Sequence, residues 1–89
     1  MPTISMFYGI LISIFYRDTG KHNKPHIHAR YQGQKAAIAI EDGLVLAGKL
    51  PDRQLRMVQV WIDLHREELL ADWELALAGD EPYKIAPLR

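Results

Sequence analysis

The sequence predicts an α+β fold in which an antiparallel β-meander of three to four strands is followed by two helices and an extended C-terminal tail. Three observations predict it. The first half of the chain has strand-like apolar segments, two glycine turns separate them, and the second half has helical apolar spacing. With 89 residues the chain is below the usual size for two domains, so we expect residues 1–89 to form one domain.

The first predicted strand covers residues 5–17 and is apolar on both faces, which is typical of a strand that is covered on both sides. It lacks the charged start and cleavage site of a signal peptide and is too short for a membrane span. Residues 18–25 then form a polar loop. We therefore expect a cytoplasmic protein without a membrane segment, and the absence of cysteine fits a reducing compartment.

Two glycine turns predict the register of the central strands. Gln32-Gly33 and Asp42-Gly43 each fit a two-residue hairpin turn, the second better than the first. Because side chains alternate between faces, these turns separate an apolar face from a face that carries histidines. The predicted core face consists of Ile27, Ala29, Ile38, Ile40, Val45 and Ala47. The other face carries His26, Ala39 and Leu46 in one row, His28, Ala37 and Gly48 in the next, and Arg30 and Lys35 at its rim.

The second half of the chain follows a helical period from Pro51, which suits a first helical residue. A single helix over residues 52–78 would be about 40 Å long, so we expect a break near residues 65–67 and an end at Gly79. The extended tail is expected to pack back on the domain. Val58, Trp61 and Ile62 of the first helix are expected in the core. The apolar stripe that contains them also includes Leu55 and Leu69, and the apolar side of the second helix consists of Leu70, Trp73 and Leu77.

The densest group of reactive side chains is His22, His26 and His28, with Asp18 before it and Arg30 after it. On a strand, His26 and His28 project from the same face with Cα atoms roughly 6.6–7 Å apart. That spacing suits a zinc or nickel site that His22 or Asp18 completes.

Two other interpretations of the same group stay open. In a metal-independent hydrolase or ribonuclease, His26 and His28 would act as general acid and base while Arg30 stabilises a phosphate charge. Alternatively a helix covers the histidine face or the face is merely solvated, or the face binds an anion or RNA without metal. No cofactor is expected, because the sequence has no phosphate loop and no dinucleotide motif.

Charge and apolar crowding predict a partner. Residues 1–60 carry eight Lys and Arg against four Asp and Glu, whereas residues 61–89 carry three against seven. The two halves neutralise each other within one fold, or the basic half binds an anionic partner, RNA among them. The last twenty residues are also crowded with apolar side chains that predict an exposed patch for a partner chain or a second copy, unless the tail buries them. These residues are Leu70, Leu75, Leu77, Tyr83, Ile85 and Leu88.

Several segments resemble a bacterial family known as domain of unknown function 4160. They are residues 1–10, 22–29, 31–33, 61–65, 72–76 and 84–88, and Pro25-His26-Ile27-His28-Ala29 is the most specific of them. Lys24 stands where typical members have a proline. The resemblance implies a small cytoplasmic bacterial protein, often encoded beside another short protein in an arrangement like a toxin–antitoxin module, and it transfers no catalytic residue.

From this resemblance and the small size we expect the toxin-like or effector member of a two-gene module, held by a cognate partner through protein–protein contact. A hydrolase that uses His22, His26 and His28, with or without metal, is one alternative. A non-catalytic interaction module is the other.

Overall fold

The computed structural model describes residues 2–14 and 24–89. Within them, five strands form one antiparallel sheet in sequence order, and two helices follow. The α+β class and the meander are confirmed, with one strand more than the upper estimate. The elements are β1 Thr3–Phe7, β2 Ile10–Ser13, β3 His26–Tyr31, β4 Gln34–Ala39, β5 Val45–Gly48, α1 Asp52–Leu64 and α2 Arg66–Leu77.

The extra strand arises because the predicted first strand is divided by a turn at Tyr8 and Gly9. Both residues have positive φ, 50° and 78°, as a tight hairpin turn requires, and Phe7 pairs directly with Ile10. A single strand over residues 5–17 was therefore wrong. Because positive φ is unusual for tyrosine, Tyr8 gave no turn signal, and Gly9 was the only one in the continuous apolar run. Residues 15–23, which include most of the predicted polar loop, lie outside the described residues.

The hairpin between β3 and β4 has the predicted register. Gln32 and Gly33 have positive φ of 45° and 81°, and the six pairs that a turn at these residues dictates, from Tyr31 opposite Gln34 to His26 opposite Ala39, are all present. The pairs that carry the histidines place His26 opposite Ala39 and His28 opposite Ala37. The period-two alternation around this turn was therefore sufficient to place both histidines on one face.

The register of β5 differs from the prediction. A five-residue loop, residues 40–44, replaces the two-residue turn, and a bulge shifts the pairing between Ala37 and Ile38. The loop is closed by the Gly43 N–H to the Ala39 carbonyl and by the Ala39 N–H to the Leu44 carbonyl, each at 2.9 Å. As a result Ala37 lies opposite Ala47 instead of Gly48, and Ile38 opposite Val45. Val45 and Ala47, predicted as core, are exposed.

The core lies between the inner face of the sheet and α1. The rings of Phe7 and Trp61 lie 5.3 Å apart between centroids, which places β1 against the middle of α1. Burial of this apolar layer is the main stabilising contribution of the fold. Among the residues predicted as core, Ile27, Ile38, Ile40, Val58, Trp61 and Ile62 are fully buried.

The helical half is broken at His65, as predicted from its length. His65 has φ −120° and ψ 24°, outside helical values, and it separates α1 from α2. The longest dimension of the fold is 33 Å, which is shorter than one straight helix over residues 52–78 would be. Gly79, at φ 81°, follows α2, and the Asp80 N–H bonds back to the Leu75 carbonyl at 2.8 Å. None of the described helices is long and apolar enough to cross a membrane.

The buried stripe of α2 differs from the expected one. Leu69, Asp72, Trp73 and Ala76 are buried, while Leu70 and Leu77 are 40% and 46% exposed. Leu70 and Leu77, two residues of the predicted exposed patch, therefore lie on the outer side of α2, because the residues one position earlier face inward.

The tail packs back on the domain along the free edge of β1. The Ile85 N–H bonds to the Ile4 carbonyl at 2.8 Å, and the Trp61 indole N–H bonds to the Ala86 carbonyl at 2.8 Å. Ile85 is buried, whereas Tyr83 is 73% exposed. The tail therefore covers a sheet edge and connects it to α1.

Candidate functional site

His26 and His28 lie together on the outer face of the sheet, the face away from α1. Their ring centroids are 5.0 Å apart and their planes are inclined by 70°. His26 is fully buried and His28 is half-buried. The structure therefore brings these two predicted residues together, whereas His22 and Asp18 lie outside the described residues.

The ring of His26 is held from two sides. Its Nδ1 lies 2.7 Å from the Lys24 carbonyl oxygen. Because a carbonyl only accepts, Nδ1 carries a proton, and in the neutral ring Nε2 is the acceptor nitrogen. The Trp73 ring of α2 lies 5.1 Å from the His26 ring between centroids. A residue of α2 therefore covers this end of the histidine face.

The small residues beside the histidines do not form an open floor. Ala39, opposite His26, and Ala37, opposite His28, are both buried. Gly48, predicted in the same row as Ala37, instead pairs with Ala36. The small side chains thus allow close packing around the two rings. At the His26 end, this agrees with the alternative in which a helix covers the histidine face.

The described residues contain no group of three or more His, Cys, Asp or Glu side chains placed to hold a metal ion. His22, the third residue of the predicted metal site, lies outside the ranges that the structure describes. The zinc or nickel hypothesis for His22, His26 and His28 therefore stays a prediction.

Arg30, the third candidate catalytic residue, lies two positions beyond His28 on the same face, but in an exposed row. Met6 pairs with Leu11, Leu11 with Arg30, and Arg30 with Lys35, so four strands contribute one side chain each to a continuous cross-strand row. We call these four residues the outer row. All four are exposed, Met6 by 63% and Leu11 by 37%.

The charge of this sheet is entirely basic. None of the five strands contains an aspartate or a glutamate, while Arg30 and Lys35 stand side by side in the outer row. Tyr31, the aromatic residue after Arg30, packs against the core. The outer row therefore combines apolar and basic groups without a stacking aromatic ring.

A buried carboxylate was missed by sequence reasoning. Asp72 is 1% exposed, and its Oδ1 accepts the Tyr83 N–H at 2.8 Å. Its Oδ2 is buried without a hydrogen-bond partner among the described residues. Burial raises the pKa of the Asp72 carboxyl, the Tyr83 N–H opposes this, and the Glu68 charge adds to it. Its helical spacing from Leu69 was the signal that placed it on the buried stripe.

A cleft of about 320 Å³ opens between α1 and the β4–β5 loop. Gln59 Nε2 donates to the Gly43 carbonyl and Arg66 Nε to the Ile40 carbonyl, each at 2.9 Å, so both side chains hold the loop. Two acidic and two basic side chains line the cleft, which gives it no net charge. The lining residues are Asp42, Gly43, Arg56, Gln59, Val60, Asp63 and Arg66.

The model of the family described as domain of unknown function DUF4160 matches residues 9–74, well over half of the chain. The chain belongs to this family. The DUF4160 match includes β3 with both histidines, Arg30 and the two helices as far as Glu74, and it confirms the resemblance of the sequence. No curated protein and no solved structure matches the chain.

Proposed function

We propose that this chain is the toxin-like or effector member of a two-gene module and that its cognate partner holds it by protein–protein contact at the outer row. The observation that carries the proposal is the row of Met6, Leu11, Arg30 and Lys35, exposed on four strands of a sheet without acidic residues. Exposed apolar groups beside basic ones suit a partner segment with apolar and acidic side chains.

The packing of His26 supports binding over catalysis. A general base or nucleophile-activating group must reach a substrate, whereas His26 is fully buried and lies against Trp73. The family membership adds the two-gene arrangement that the resemblance implies. A small effector that is held by a cognate protein needs an accessible surface more than a cavity.

The first experiment is induced expression of the chain with and without its gene neighbour. We expect growth arrest by the chain alone and recovery when the neighbour is co-expressed. Absence of arrest would contradict the effector role, and arrest that the neighbour does not relieve would contradict the cognate partner.

The same assay locates the binding surface. The double variant Arg30→Glu/Lys35→Glu reverses both outer-row charges, so we expect arrest that the neighbour no longer relieves. Arg89→Glu, at an exposed position in the tail, is the matched control and should leave the rescue intact. Rescue of the double variant as efficient as that of the wild type would exclude the outer row.

A histidine-dependent hydrolase or ribonuclease is the second candidate, and one observation favours it. The Lys24 carbonyl fixes the proton of His26 on Nδ1, which leaves Nε2 in the acceptor form that general bases and metal ligands use. Arg30 follows on the same face. Cleavage of total RNA by the wild type but not by His26→Ala/His28→Ala would support this candidate over the binding role.

A further inference from the structure

The two helices expose complementary stripes on the side away from the core. On α1, Val60 and Leu64 are 52% and 66% exposed, and on α2, Leu70 and Leu77 are 40% and 46% exposed. Spacings of three, four and seven residues place each set on one side of its helix. Together they leave four large apolar side chains outside the core of an 89-residue protein.

The charges within the two stripes are opposite. Arg56 precedes Val60 on the α1 stripe, whereas Glu67 and Glu74 flank Leu70 on the α2 stripe, and all three charged residues are exposed. No ion pair joins Arg56 to Glu74 within the described part of one chain. Because Arg56 and Glu74 are exposed on different helices of one chain, each can pair with the opposite charge on a second copy.

We propose that a second copy of this chain covers these stripes, with α1 of one copy antiparallel to α2 of the other across a two-fold axis near His65. In such a pair, a residue before His65 meets the residue equally far after it. Val60 then meets Leu70, five positions away on each side, and Arg56 meets Glu74, nine positions away. At 1.5 Å per residue these contacts lie about 7.5 and 13.5 Å from His65 along each helix.

The two-fold axis repeats each contact, so the interface contains two Val60–Leu70 contacts and two Arg56–Glu74 pairs. The charge nearest the axis is already neutralised, because Asp63 pairs with Arg66 at 2.9 Å within the same chain. His65 is also occupied, since its Nδ1 lies 2.6 Å from Glu68 Oε1. By the same register Glu67, two positions after His65, meets the Asp63–Arg66 pair of the other copy.

A second copy also fits the energetics of the chain. A domain of this size buries only about 60–65% of the surface that its unfolded chain exposes, and it has little stability to spare. An interface of a few helical turns is small, so we expect a dimer with a dissociation constant on the order of micromolar. This inference is independent of the outer row, which lies on the sheet.

Analytical ultracentrifugation of the full chain tests the interface, from about one to several hundred micromolar. We expect a monomer–dimer equilibrium that Val60→Asp and Leu70→Asp each weaken at least tenfold. Tyr8→Asp is the matched control, because Tyr8 is also 60% exposed but lies in the turn between β1 and β2, and it should leave association unchanged. Circular dichroism verifies that each variant is folded.

A charge exchange between two chains gives the sharper test. Arg56→Glu alone and Glu74→Arg alone each place like charges opposite one another, so each variant should be monomeric. Mixed in equal amounts, they restore an opposite charge at both symmetry-related positions, and the mixture should associate as the wild type does.

The proposal is overturned by a wild type that stays monomeric throughout this range, or by a mixture of the two charge variants that fails to associate. It is equally overturned by a dimer that tolerates Asp at both Val60 and Leu70. A dimer lost in Arg30→Glu/Lys35→Glu but not in the helix variants would assign the interface to the sheet and also contradict it.

Discussion

The side chain of Asp72 lies inside the protein although it carries a carboxyl group. One oxygen accepts the Tyr83 N–H and so connects α2 to the tail, while the other has no partner among the described residues. A charged carboxylate in this position is costly because burial removes its hydration. Burial accordingly raises the pKa of this carboxyl above its ordinary value of 3.8.

This shift predicts how the free energy of unfolding depends on pH. Since the folded-state pKa is higher than the unfolded one, the contribution of Asp72 is fully present below pH 3.8 and is lost as the pH rises through the folded-state pKa. Asp72→Asn keeps an acceptor for the Tyr83 N–H but removes the titration. We therefore expect the stability of the variant relative to the wild type to increase from pH 4 to pH 7 in urea denaturation.

Asp80→Asn is the control for the Asp72 variant, because Asp80 is exposed and its substitution should leave the pH dependence unchanged. Parallel stability curves for the wild type and Asp72→Asn across this range would show that Asp72 does not titrate in the predicted direction.

Substitution of the two histidines tests the metal hypothesis. Two imidazoles whose ring centroids are 5.0 Å apart would bind zinc through nitrogens at about 2.0–2.1 Å. The hypothesis predicts that zinc titration of the apo protein detects a tighter site in the wild type than in His26→Ala/His28→Ala. Equal affinity in the two proteins would exclude a zinc site at these residues.

Among the elements, the pairing of β4 with β5 depends on one glycine at the end of β5. Gly48 has φ 73°, and a Cβ there would lie 2.2 Å from the Lys35 carbonyl oxygen, which is backbone and cannot move aside. We expect Gly48→Ala to lower the free energy of unfolding by about 3 kcal/mol, since steric overlap adds to the strain of positive φ.

Gly33→Ala is the matched control for this prediction. Gly33 also has positive φ, at 81°, but nothing lies within 4 Å of its added Cβ. Its substitution should cost only the strain of about 1–2 kcal/mol. Urea denaturation that assigns equal losses to the two variants would show that the overlap at Gly48 is relieved by a backbone shift.

For the whole molecule, the tail joins the sheet edge to both helices. Ile85 is buried against the core and its N–H bonds to β1, while Trp61 and Asp72 hold the neighbouring backbone groups. We expect Ile85→Ala to destabilise the fold by about 2–4 kcal/mol through the lost apolar burial and the cavity. Thermal unfolding followed by circular dichroism measures the loss.

Tyr83→Ala provides the comparison within the same tail. Tyr83 is 73% exposed, so its side chain contributes little and the substitution should stay within about 0.5 kcal/mol of the wild type. A loss at Tyr83 as large as that at Ile85 would indicate that the side chains of the tail act together rather than through burial.

Local sequence signals were sufficient to predict the α+β class, the register of β3 and β4, the break at His65 and six buried core residues. Each of these follows from a local signal: period-two alternation around Gln32-Gly33, helical spacing after Pro51, and the length that one helix would need. The shared face of His26 and His28 belongs with them, because alternation along a strand needs no knowledge of the rest of the fold.

Other features could be found only in the tertiary structure. They are the turn at Tyr8, the bulge that shifts the register of β5, the packing of Trp73 on His26, and the buried Asp72 oxygen that has no partner among the described residues. These features depend on groups that are distant in the sequence, such as Gln59, whose amide holds Gly43 16 residues away. A hydrophobic pattern records which side of an element is buried, but not which element buries it. The burial of His26 by α2 therefore depends on packing between distant parts of the chain, which local periodicity does not encode.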